Sequence, residues 1–123
     1  PDVSKLSLPK GVEVYEIEGP FFFGLASKFE ETMKSLGDKP KVRIIRMRKV
    51  PFIDSTGVHN LESLIKMSQK DKTIILLSGV TDQVHLTLEK AGVEEYLGNE
   101  NIFPNIVEAL KKAKTIIENE HTN

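Results

Sequence analysis

The sequence is short of reactive sulfur, of long apolar runs and of charge of one sign. Its 123 residues contain no cysteine, which excludes disulfides, thiolate nucleophiles and thiolate metal ligands. That absence leaves the redox compartment open and agrees with a cytoplasmic setting. No apolar run approaches the roughly 18 residues of a bilayer-crossing helix, and no stretch reads as a signal peptide. Lys and Arg number 17 against 18 Asp and Glu, for a net charge of -1, so no whole-chain basic field points to nucleic acid. A glycine-rich phosphate loop, an internal repeat and a low-complexity tract are all missing. No nucleophile–base pattern and no paired carboxylates stand out, so an enzyme is not expected. His59, His85 and His121 are too scattered for a metal site.

What is present is an ordinary globular composition, 39% hydrophobic and 28% charged, long enough for one domain with one core. The chain opens on Pro1 rather than methionine, which reads as a domain excised from, or processed out of, a longer protein. Residues 1–10 read as a linker or N-terminal arm, 11–117 as the domain, and 118–123 as a polar tail that frays.

Val12 to Ile17 alternates, with Val12 and Val14 on one face and Glu13, Tyr15 and Ile17 on the other, and reads as a strand. Gly19-Pro20 turns the chain into a short strand at Phe21-Phe22-Phe23. Leu25, Phe29, Met33 and Leu36 then recur at helical spacing. Val42 to Met47 is the next strand, interrupted by Arg43, Arg46, Arg48 and Lys49. Val58, Leu61, Leu64, Ile65 and Ser68 form one stripe of a helix over about 55–70. Thr73 to Ser78 reads as a strand buried on both faces. Thr81 or Asp82 caps a helix that turns Val84, Leu88 and Ala91 inward and stops at Gly92. A connector follows, with a short strand at Ile102-Phe103. Pro104 fits the first turn of a last helix with Ile106, Leu110, Ala113 and Ile117 inward. The order predicts an α/β fold: a mostly parallel sheet of about four or five strands, an antiparallel pair at its N-terminal start, and about four helices.

The organising stretch is Val50-Pro51-Phe52-Ile53-Asp54-Ser55-Thr56-Gly57. Pro51 breaks regular pairing after the strand. Asp54 and Ser55 are both N-cap residues, and Gly57 leaves room in the first turn. Two hydroxyls therefore sit at the positive end of a helix, a place suited to an anion or a phosphate. Asp-Ser-Thr-Gly tetrapeptides are most often plain caps and turns, so the context of strand, proline turn and amphipathic helix carries the weight. His59 lies one turn into that helix. Arg43, Arg46, Arg48 and Lys49 form a candidate basic patch beside it, able to meet an anion, a nucleotide phosphate or an anionic headgroup, although a solvated strand end is the simpler account. Phe21, Phe22 and Phe23 cannot all face one side of a strand, so at least one is a candidate interface aromatic.

This context resembles the STAS domain, the family shared by SulP anion transporters and the bacterial anti-sigma-factor antagonists. The resemblance runs from about Gly11 to about Ile117. Soluble antagonists carry Gly-x-Leu-Asp after the first strand, where this chain has Gly19-Pro20-Phe21-Phe22-Phe23-Gly24. They end the strand before the motif on an Asp-Leu-Ser-like sequence, where this chain has Arg46-Met47-Arg48-Lys49-Val50-Pro51. Both departures resemble the SulP branch, as does Gly98 spaced to Ile102 ahead of Ala109-Leu110.

The resemblance implies a regulatory, protein-contacting domain on the cytoplasmic side of the inner membrane, part of a transporter of sulfate or another anion. Its implied partners are the transporter's membrane domain, a second copy of itself or a cytosolic protein. It implies a partner- or anion-binding loop at Asp54, Ser55, Thr56, Gly57 and His59, and no required cofactor beyond the weak nucleotide binding associated with the family. The alternative is a stand-alone cytoplasmic antagonist, a partner switch phosphorylated on Ser55 or, less readily, Thr56.

Overall fold

The structure, a computed structural model, describes residues 8–18 and 39–121. Four strands form one sheet in the order β1 (Val12–Glu18), β2 (Val42–Lys49), β3 (Ile74–Ser78) and β4 (Ile102–Phe103). Every pairing among them is parallel. Helix α1 (Ser55–Lys70) joins β2 to β3. Helices α2 (Asp82–Lys90) and α3 (Glu94–Leu97) lie between β3 and β4, and α4 (Ile106–His121) follows β4.

Strand alternation sorts the apolar residues into two cores, as a sheet covered on both faces requires. Ile45, Met47, Ile75 and Leu77 face α1, α2 and α3, where Val58, Leu61, Leu64, Ile65, Val84, Leu88 and Leu97 meet them. Val12, Val42, Ile44 and Leu76 face α4 and pack on Ile106, Ala109, Ala113 and Ile117. The alternating residues of β1 behave as expected: Val12 and Val14 go to the α4 side, Tyr15 and Ile17 to the other. The stripe of α1 is buried as predicted, and the helix occupies 55–70.

Several expectations need correction. Arg43 and Arg46 are buried rather than solvated, because β2 is an interior strand with β1 on one side and β3 on the other. Ile74 is 37% exposed, since it lies at the start of β3, beyond the register of β4. Ala91 is exposed and serves as the C-cap of α2, and Val93 is buried in its place. Gly92 does stop the helix, with φ +78°. The connector after it contains α3 and a 3-10 turn over Asn99–Asn101, as well as the expected short strand. Pro104 precedes α4 instead of lying in its first turn. Asn105 is the cap, its Oδ1 accepting from the Glu108 amide at 2.9 Å. The last helix runs on to His121, past the boundary expected at 117. The strand and helix expected at Phe21–Phe23 and Leu25–Leu36, and with them the antiparallel pair, lie outside the described residues.

Candidate functional site

A parallel sheet sends the chain out of every strand at the same end. The helices that follow β2, β3 and β4 therefore begin together beyond the carboxyl edge of the sheet, with the partial positive charge of their N-termini facing one way. The stretch singled out in the sequence lies at this edge, between β2 and α1.

The loop is pinned by two buried anchors. Val50 and Ile53 are buried in the core on the α1 side, as is Val58 in the first turn of the helix. The Val50 amide donates to the Met47 carbonyl at 3.0 Å, which bends the chain off the strand. Pro51 and Phe52 between the two anchors are exposed, Phe52 by 42%. Asp54 has extended backbone, with φ -89° and ψ 175°, and is the N-cap of α1. Its Oδ1 accepts from the Gly57 amide at 2.6 Å, and its carbonyl accepts from the Val58 amide at 2.9 Å. Of the two candidate caps, Asp54 thus takes the role. Ser55 and Thr56 become the first two helical residues, both exposed, and Gly57 is buried beneath them. His59 is exposed one turn on. The loop therefore offers two solvent-facing hydroxyls on a rigidly held helix start.

The candidate basic residues divide. Arg48 is half-exposed and donates from Nε to Glu16 Oε1 at 2.8 Å. That hydrogen bond holds the Glu16 carboxyl below its ordinary 4.5. Burial opposes the shift, and the charges of Arg48, Lys49 and Arg46 reinforce it. Arg48 thus pairs directly with Glu16, and the charges of Lys49 and Arg46 act on the same acid. Lys49 is exposed, whereas Arg46 is 2% exposed and forms part of a cleft wall near the start of α4. Arg43 stands apart: it sits on the opposite face of β2, nearer the strand's start, with Nε 3.5 Å from Glu13 Oε1.

Phe21, Phe22 and Phe23 lie outside the described residues. His85 Nε2 is 2.6 Å from Glu94 Oε1, tying α2 to α3. Among the described residues no group of three His, Cys, Asp or Glu side chains could hold a metal ion. No helix of the described residues is long and apolar enough to cross a membrane. Tyr96 has its hydroxyl pushed above the usual tyrosine range by burial and by neighbouring Glu62, and Lys66 lies 5.2 Å from its ring centroid.

The sequence reading missed Asn105, Gly79 and Ser78, which adjoin Arg46 and Arg48 at the same edge. Asn105 was legible, as a preferred cap letter just after a proline. Ser78 was not, because its neighbourhood depends on how β3 registers against β2 and β4.

The STAS domain family model matches residues 6–109. A sulfate transporter family protein from Wolinella succinogenes superposes with a TM-score of 0.90 at 45% identity, covering 95% of this chain and 96% of that one. The STAS domain of a SulP transporter from Vibrio cholerae superposes with a TM-score of 0.83 at 40% identity, covering 91% and 88%. Sulfate transporter 1.1 of Arabidopsis thaliana is 30% identical over 95 residues, 76% of this chain and 14% of that protein. The chain spans less than a fifth of the length of the curated relatives it matches. The chain belongs to the STAS domain family, on its SulP sulfate-transporter branch.

Proposed function

We propose that this chain is the cytoplasmic regulatory domain of a SulP-type anion transporter, working by protein contact rather than by catalysis. The contact surface is the loop from Asp54 to Gly57 with the exposed face of α1 behind it, including His59. The observation that carries this reading is the build of the loop. Val50 and Ile53 anchor it from below, while Phe52, Ser55 and Thr56 face solvent. A rigid, partly apolar patch with polar neighbours is what a docking surface needs. The partner in this reading is the transporter's own membrane domain or a cytosolic protein.

The first test is the full reading frame. Upstream runs of about 20 apolar residues, repeated many times, support the transporter reading. A frame that encodes little beyond this chain overturns it in favour of a stand-alone partner switch acting through Ser55. The second test is Ser55→Asp, which adds a negative charge beside Asp54. Co-purification with the separately expressed membrane domain should fall. Unchanged recovery would remove the loop as the contact surface.

A further inference from the structure

Strand β3 is longer than the strand beside it. It runs from Ile74 to Ser78, and β4 pairs only with Leu77 and Ser78. The first half of β3 therefore has no strand on that side among the described residues. The Ile74 amide donates to the Lys41 carbonyl on the β2 side, so alternation turns the N–H and C=O of Ile75 toward the bare side. A cavity of about 480 Å3 stands there, at the opposite end of the strands from the Asp54–Gly57 loop. The volume is that of a small-molecule pocket, roughly 300–1,000 Å3.

Ile74, Ile75, Leu97 and Ile116 give the cavity aliphatic walls, and Ile74 is left 37% exposed within it. Most polar groups of the lining are already engaged. Gln69 donates from Nε2 to the Tyr96 carbonyl at 3.0 Å, Thr73 from Oγ1 to the Pro40 carbonyl at 2.9 Å, and Asn101 from Nδ2 to the Leu97 carbonyl at 2.9 Å. Two lysines of the lining are not engaged. Neither the Lys72 nor the Lys112 side chain has an ion pair or hydrogen bond among the described residues. The acid of the lining, Glu100, folds back over its own turn: a Cβ at Gly98 would lie 2.6 Å from its Oε1.

A separate observation concerns Lys72. Helix α1 ends with the Lys72 amide donating to the Gln69 carbonyl and the Thr73 amide to the Ser68 carbonyl, a pattern whose left-handed residue is usually glycine. Here that residue is Lys72, with φ +62°, although glycine would serve the turn better. The carbonyl end of a helix favours a cation, but Lys70 already provides one in the last turn. The turn itself therefore gives no reason for a lysine at 72, whereas the cavity beside it does.

We propose that this cavity binds a small amphipathic organic acid, a monocarboxylate on an aliphatic body. The carboxylate meets Lys72 and Lys112, and the body lies against Ile74, Ile75, Leu97 and Ile116. Two lysines less Glu100 leave one net positive charge, which matches a single carboxylate. No glycine lines the cavity, so the close backbone approach of a phosphate cradle is missing. The site gives the domain a small-molecule input separate from the Asp54–Gly57 loop and does not depend on what that loop meets.

The test is an amide NMR titration of the 123-residue chain with sodium octanoate, with 1-octanol and sodium acetate as the body and the head alone. Octanoate should give saturable shifts centred on Lys72, Ile74, Ile75, Leu97 and Ile116. Octanol and acetate should each bind at least about tenfold more weakly. Equal binding of either, or octanoate shifts spread over the exposed Phe52, Leu86 and Val107, overturns the site. Lys72→Gly relieves the backbone, so the melting temperature should hold or rise. Lys112→Gln keeps the length of the side chain and removes its charge. Each variant should weaken octanoate about fivefold or more and leave 1-octanol unchanged. Octanoate bound as tightly by both folded variants as by the parent overturns the proposal.

Discussion

At the scale of the residue, two carboxylates do different work at the same edge of the sheet. Asp54 spends its charge on the helix start, accepting from the Gly57 amide. Asp54→Ala should cost about 1 kcal/mol in stability, read from urea unfolding, and Asp54→Asn should recover most of it because asparagine also caps. Glu16 is held by Arg48, so its carboxyl is more acidic folded than unfolded. A group depressed in this way adds stability above its unfolded value, and that contribution fades as the pH falls through the folded one. Glu16→Gln should therefore be less stable than the parent near neutrality. The gap should close on acidification well below 4.5, with urea midpoints as the measure. An equal gap at neutral and acid pH would show that Glu16 acts through packing alone.

At the scale of the element, the strand ends decide what the helices can present. Gly79 closes β3 by donating to the Phe103 carbonyl at 3.0 Å, and its positive φ turns the chain toward α2. Alanine there meets both the backbone penalty and the Arg48 side chain, at a cost of about 1–3 kcal/mol. Asparagine tolerates the backbone angle but not the contact. Gly79→Asn should thus rescue little, and full recovery of the thermal midpoint in that variant would refute the crowding. The loop before α1 follows the same logic in reverse: Val50 and Ile53 fix its path, so its exposed residues can vary without moving it.

At the scale of the whole molecule, the sheet has two unequal cores. Among the described residues, the α1 side is built from large side chains of α1, α2 and α3, whereas the α4 side relies on Ala109 and Ala113, both fully buried, to let α4 approach closely. Ala113→Leu should wedge α4 off the sheet and cost about 1–3 kcal/mol. Urea midpoints measure the cost, and an unchanged midpoint would show that α4 yields without losing its packing on the sheet.

The sequence by itself determined the periodic parts and the punctuation. The stripe of α1, the alternation of β1, a cap at Asp54 or Ser55 and the Gly92 stop all rest on local chemistry, which is written in neighbouring letters. The family signal was equally local, carried by one strand, one turn and one helix. Only the tertiary structure decided what became of the charges. Arg43 and Arg46 look like solvated interruptions in a strand, yet β2 is interior, so they are buried among neighbours supplied by β1, β3 and α4. Pro104 reads as a helix start, but which strand ends that start would face was not legible. The register of β3 against β2 and β4 brought Ser78, Gly79 and Arg46 to one edge. Register is a property of pairing between distant segments, and no window of sequence contains it.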